Sequence, residues 1–178
     1  MFIKSILPAF LLAANLLSSL ACAQIPANKP SCQSKAFDQT LSTMLRFTVP
    51  VIGVKELKNQ QKEYVILDAR EQKEYDISHI EGAKHIGYEQ FNIKNMKDIK
   101  KDAPIVVYCS VGYRSEKIGE KLQKEGFLNV KNLYGSVFEW VNESYPLVNN
   151  SNQVVSKVHT YNAIWGKWVK NKKVEKIY

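Results

Sequence analysis

Continuous apolar runs with polar flanks recur through the middle of the chain, and they set its predicted architecture. Residues 64–67 (Tyr64-Val65-Ile66-Leu67) and 105–108 (Ile105-Val106-Val107-Tyr108) show no polar alternation, the pattern of strands buried on both faces of a parallel sheet. A short β-rich run covers 51–54, and a further strand is predicted at 129–133. Residues 115–125 place Ile118 and Leu122 four apart on one helical face, and Gly126 stands where a glycine ends a helix. Ser136 and Glu139 make a Ser-x-x-Glu pattern that predicts a boxed helix start, with Val137, Trp140 and Val141 on one face and an end before Pro146. Strand, helix, strand, helix in that order predicts an α/β domain over residues 48–148.

The flanks read differently. Lys4 precedes an apolar stretch from Ile6 to Leu20 that is short for a bilayer span and is followed by Ala21-Cys22-Ala23, so residues 1–23 are expected to be a cleaved signal peptide. The expected destination is periplasmic or secreted; the alternative is a lipoprotein anchored to the membrane through Cys22. Residues 24–47 read as a linker with Pro26 and Pro30, then a short helix carrying Phe37, Leu41, Met44 and Leu45. Cys32 is expected to be a free thiol in a flexible segment, with a Cys32–Cys109 disulfide as the alternative, acting as a redox switch. Residues 149–178 open with Asn and Ser and then carry Tyr161, Ile164, Trp165 and Trp168 at helical spacing. This tail is expected to dock on the domain; the alternative is an aromatic patch facing a partner or a membrane.

At 178 residues and 45% hydrophobic content, the chain has room for one compact domain with extensions. Lys and Arg number 25 against 17 Asp and Glu, yet all but three of the cations are lysines, scattered along the chain with no aromatic-basic module. That distribution suits a solvated surface and argues against nucleic-acid binding. His79, His85 and His159 show no metal-ligand or Cys–His spacing, so no metal and no cofactor are expected.

The chemistry concentrates at Cys109, which ends the 105–108 run and opens the loop Cys109-Ser110-Val111-Gly112-Tyr113-Arg114 before a predicted helix at Ser115. A thiol there faces unpaired backbone N–H groups and the positive end of a helix dipole, which favour the thiolate. Cys109 is therefore the candidate nucleophile, with the loop N–H groups positioned to hold an anionic group transferred to it. Gly112 lets the loop turn, and Arg114 adds a fixed positive charge. Ser110 and Ser115 offer hydroxyls, and Val111 and Tyr113 shape the mouth.

The loop resembles the active-site loop of the rhodanese family, whose cysteine carries sulfur as a persulfide. Val65-Ile66-Leu67-Asp68-Ala69-Arg70-Glu71, then Glu74-Tyr75 and His79-Ile80-Glu81-Gly82-Ala83, is similar to the family's first signature. Leu133-Tyr134-Gly135-Ser136 and Trp140 sit where the family has a Gly-Gly turn and a helical Trp. The resemblance covers residues 51–148, with departures at Ser78, Glu81 and Gly135-Ser136. It implies a central parallel sheet flanked by helices on both faces, and sulfur transfer from an anionic donor such as thiosulfate through a Cys109 persulfide to a thiol or cyanide. It further implies that Asp68 and Arg70 support the loop, with Arg70 drawing the donor or the pair fixing loops, and that His79 belongs to a structural turn. A monomer is expected. The alternatives are a non-catalytic interaction module and a cysteine phosphatase or arsenate-type reductase. Phosphatases of this fold use a Cys-x5-Arg loop, and the Cys-x4-Arg spacing here suits a single sulfur atom better than a phosphate.

Overall fold

A computed structural model describes residues 25–178. The expected signal peptide, with its expected cleavage site and Cys22, lies outside the described residues. Helix α1 (Lys35–Met44) begins where the Ser34 hydroxyl accepts the Phe37 N–H, two residues ahead of the predicted apolar stripe. It leads to strand β1 (Val51–Ile52), which stops early because Gly53 starts helix α2 (Val54–Asn59). Strand β2 (Val65–Asp68), helix α3 (Gln72–Ile77), strand β3 (Lys84–His85), strand β4 (Pro104–Tyr108), helix α4 (Tyr113–Lys124), strand β5 (Asn129–Leu133) and helix α5 (Ser136–Asn142) complete the domain. The five strands form one parallel sheet in the order β1-β5-β4-β2-β3.

The continuous apolar runs arise because both sheet faces are covered. Ile66, Val106 and Tyr108 pack with Phe37, Leu41, Leu57 and Trp140 on the face that holds α1, α2 and α5. Leu67, Ile105 and Val107 point the other way, onto Ile118 and Leu122 of α4. Helix α4 ends as expected, with Gly126 in the left-handed region (φ 85°) and the Phe127 N–H returning to the Leu122 carbonyl.

Two local expectations are corrected. Ser136 is not a boxed N-cap: Gly135 caps α5, and the Ser136 hydroxyl donates to the Leu133 carbonyl while accepting the Cys109 N–H. The Glu139 carboxylate instead accepts the Gln33 N–H and an Asn142 amide hydrogen. Cys32 does not sit in a flexible segment either. It is buried in the core, its N–H donates to Asp38, and burial together with the nearby Glu139 charge pushes its thiol well above the ordinary range. Both Cys32 and Cys109 are free thiols.

The tail is not the single helix that its spacing predicts. Strand β6 (Leu147–Val148) pairs antiparallel with strand β7 (Val154–Val155), and strand β8 (Lys157–His159) pairs parallel with strand β9 (Glu175–Ile177). Between β8 and β9, helix α6 (Ala163–Gly166) is one turn, started by the Asn162 side chain and ended at Gly166. Val158 and Val169 are buried and Trp168 stacks on Phe37 at 5.3 Å, whereas Tyr161 and Ile164 are 58% and 71% exposed. Of the predicted stripe, Trp165 and Trp168 pack against the core beside Val158 and Val169, while Tyr161 and Ile164 stay exposed.

Candidate active site

The chain leaves β2 toward β3 on one side of the sheet and leaves β4 toward β5 on the other. Where directions diverge in this way, the loops at the carboxyl ends of the strands part and leave a crevice. Cys109 stands in it, directly after Tyr108 at the end of central strand β4.

Helix α4 starts two residues earlier than predicted, so the loop proper is Cys109 to Gly112, with Gly112 as N-cap at φ 113°. The turn brings the Gly112 N–H to 3.1 Å from Cys109 Sγ. Ser115 Oγ lies 3.6 Å from the sulfur and 2.7 Å from Asn132 Oδ1, and its one proton belongs to the shorter contact. Asn132 then donates its amide to the Gly112 carbonyl (3.0 Å), bracing the loop from β5. The Cys109 N–H is taken by Ser136 Oγ at 3.1 Å. Ser136 is held at φ 51°, and the hydroxyl that a paired glycine would lack connects the α5 turn to the nucleophile.

Burial by itself would raise the Cys109 pKa. The Arg114 charge and the N–H groups of Ser115 and Gly112 outweigh it, and the thiol is held below its ordinary value of 9.0.

Arg114 is committed to a partner that the sequence did not single out. Its Nη1 and Nη2 donate to the two carboxylate oxygens of Glu74 at 2.6 and 2.9 Å, and Nη2 also donates to Ser110 Oγ. Glu74 is fully buried on α3, 40 residues away in sequence, and also accepts the Ser110 hydroxyl and the Glu71 N–H. Burial pushes its carboxyl up, but the Arg114 hydrogen bonds and charge dominate and bring it down to about 2. The bidentate pair fixes α3 against the Cys109 loop and partly offsets the Arg114 charge, which still lowers the Cys109 pKa.

Of the residues singled out from sequence, Cys109, Ser110, Val111, Tyr113 and Arg114 line one open cavity of about 700 Å³, while Gly112 and Ser115 pack beneath it. Asp68 and Arg70 do not line it. Arg70 is fully buried, donates to both Asp68 carboxylate oxygens and to the Ser78 carbonyl, and so fixes loops with no path to an incoming anion. His79 stacks on Tyr75 at 3.8 Å and bonds its carbonyl, His85 bonds the Arg70 carbonyl, and His159 Nδ1 accepts the Tyr161 N–H. None of the three lines the cavity. Among the described residues no cluster of metal-ligating side chains occurs.

Sequence reasoning missed the outer wall: Met44 from α1, Tyr88 and Glu89 from the loop after β3, and Tyr161 and Trp165 from the tail. The Arg114 guanidinium lies 6.0 Å from the centre of the Tyr161 ring. No local pattern signals these residues, because each reaches the site only through packing.

Comparison with known proteins identifies the family of the domain. Residues 53–143, just over half of the chain, match the family described as Rhodanese-like domain. A tRNA uridine(34) hydroxylase of Aster yellows witches'-broom phytoplasma is 36% identical over 86 residues, 46% of this chain and 28% of that protein. The enzyme of the same name from Staphylococcus epidermidis is 41% identical over 78 residues, 41% of this chain and 24% of its own length. The chain thus spans about a quarter of the length of these relatives. The solution structure of a rhodanese-like domain from Anabaena sp. superposes with a TM-score of 0.53 at 24% identity, over 56% of this chain and 79% of that one, a likeness of fold.

Proposed function

We infer the activity from one premise: this chain belongs to the rhodanese-like domain family. On that premise we propose an exported sulfurtransferase that works through a Cys109 persulfide. The Cys109 thiolate attacks the outer sulfur of a donor such as thiosulfate; the new S–S bond forms as the bond to sulfite breaks, and sulfite leaves with the electron pair. A thiol or cyanide then attacks the outer sulfur and returns the electron pair to Cys109.

The observation that carries this reading is the Cys109 sulfur, 3.1 Å from the Gly112 nitrogen in the short turn between β4 and α4, with its pKa lowered. The bidentate engagement of Arg114 by Glu74 weighs against a phosphatase, which needs that guanidinium free to clamp phosphate oxygens. A cysteine lining the cavity with its thiol held below the ordinary value weighs against a non-catalytic module.

Intact mass before and after thiosulfate tests the proposal. The protein gains one sulfur atom, the Cys109→Ser variant gains none, and the variant loses thiosulfate-to-cyanide turnover. Undiminished turnover in the serine variant sinks the assignment. The same spectrum reads the amino terminus: cleavage after Ala23 gives the exported form, and a lipidated Cys22 the anchored one.

The identity with tRNA uridine(34) hydroxylases favours a second reading, action on a tRNA uridine. Nucleoside analysis of tRNA incubated with the protein and dioxygen as the oxidant decides it, and hydroxylated uridine appearing only with Cys109 intact would displace the first reading.

A further inference from the structure

The cavity outside the loop is far larger than a small inorganic donor needs, and its volume of about 700 Å³ is that of a site for an organic ligand. Its walls are aromatic and apolar, from Met44, Tyr88, Tyr113, Tyr161 and Trp165. Two carboxylates, Glu71 and Glu89, stand at its edge, and neither takes part in an ion pair among the described residues. Among the described residues Arg114 is the one cation in the lining; it is paired with Glu74 and lies 6.0 Å from the Tyr161 ring centre, while Lys121 Nζ lies 5.7 Å from the Tyr88 ring centre. With Glu71, Glu89 and the Cys109 thiolate against the paired Arg114, negative charge predominates in the lining and attracts a cation, while the rings supply apolar contact for its body.

The wall is built into the chain. Tyr161 sits at φ 66°, which is strained for a bulky side chain, and its N–H is held at 3.0 Å by His159 Nδ1. The Asn162 side chain accepts the Trp165 N–H at 3.1 Å, and the Thr160 N–H donates to the Ile177 carbonyl of β9 at 2.8 Å. Tyr161 and Trp165 both lie beyond residues 53–143.

We propose that this pocket binds the sulfur acceptor and that the acceptor is a low-molecular-mass thiol with an apolar or aromatic body and a cationic group. The proposal rests on the sulfurtransferase reading. The acceptor body packs against Tyr161 and Trp165, its cation faces Glu71 and Glu89, and its thiolate attacks the outer sulfur of the Cys109 persulfide. The bond from that sulfur to the acceptor forms as the bond to Cys109 Sγ breaks, leaving an acceptor persulfide and a Cys109 thiolate.

Two benzyl mercaptan probes of opposite charge test it: 4-(aminomethyl)benzyl mercaptan and 4-(mercaptomethyl)benzoate. By calorimetry on the reduced full chain, the cationic probe binds about tenfold more tightly than the anionic one, as expected for reversing a charge beside two partly exposed carboxylates. Glu89→Gln narrows that ratio, and Tyr161→Ala weakens both probes. On protein preloaded with thiosulfate, the cationic probe discharges the persulfide faster. Equal binding of the two probes, or preference for the carboxylate, overturns the inference whether or not sulfur is transferred. Failure of Cys109 to load while binding discriminates overturns the sulfurtransferase reading and leaves the pocket a cationic-thiol site without transfer, which defeats the acceptor role as well.

Discussion

Glu74 is fully buried and accepts two hydrogen bonds from Arg114, so its removal leaves a largely buried guanidinium without its counter-charge. Glu74→Gln is expected to lower unfolding free energy by about 3 kcal/mol at neutral pH, read by urea denaturation. The pH dependence has a definite sign. A carboxyl lowered from 4.5 to about 2 by folding stabilises the protein fully above pH 4.5, and the contribution is lost as pH falls toward 2. The wild type should lose stability across that window more steeply than the variant. At Cys109, the rate of alkylation by iodoacetamide should rise with a midpoint below pH 9.0. In folded Glu74→Gln the midpoint should move lower still, because the Arg114 charge is no longer balanced. A wild-type midpoint at or above 9.0 would contradict the electrostatics of the loop.

Turns decide how the elements meet the site. Gly135 caps α5 at φ 74°, and a Cβ there would lie 2.5 Å from Glu139 Cβ and 3.0 Å from Cys32 Sγ. Gly126 ends α4 at φ 85° with nothing within 4 Å of an added Cβ. Alanine at Gly126 should therefore cost only the left-handed backbone term, about 1 kcal/mol. Gly135→Ala adds a clash with a helix backbone-anchored atom and should cost roughly 3 kcal/mol, with weakened persulfide formation, since the adjacent Ser136 holds the Cys109 N–H. Parallel denaturation curves of the two variants check the difference.

Across the whole molecule, the tail is bound to the domain by Val158, Val169, the Trp168 ring against Phe37, and Asn142, which donates to the Trp168 carbonyl and accepts the Lys170 N–H. Truncation after Asn152 should remove roughly 3 to 6 kcal/mol from the two buried valines alone. That corresponds to a fall in melting temperature of roughly 10 °C or more by calorimetric scan. An unchanged melting temperature would show that the tail contributes nothing to the domain.

The sequence by itself determined the parallel sheet, the strand-to-helix placement of Cys109 and the resemblance to the family. These are local: 64–67 and 105–108 are apolar throughout because both faces are covered, 129–133 matches β5, and Cys109 follows a strand and precedes a helix. Helices α2 and α3 and strand β3 escaped, being too short to show a period. The tertiary structure alone decided the rest. Ser136 followed by Glu139 reads as a box locally, yet the Ser136 hydroxyl has a better use beside Cys109. The spacing of Tyr161, Ile164, Trp165 and Trp168 suggests a helix, yet the tail pairs as strands, puts Trp168 on the core and Tyr161 and Trp165 in the cavity wall, and leaves Ile164 exposed. Arg114 and Glu74 meet only because β2 and β4 are neighbours and their loops diverge at one end of the sheet. Charge pairing and cavity shape depend on which distant segments converge, and convergence is a property of packing that no periodicity along the chain encodes.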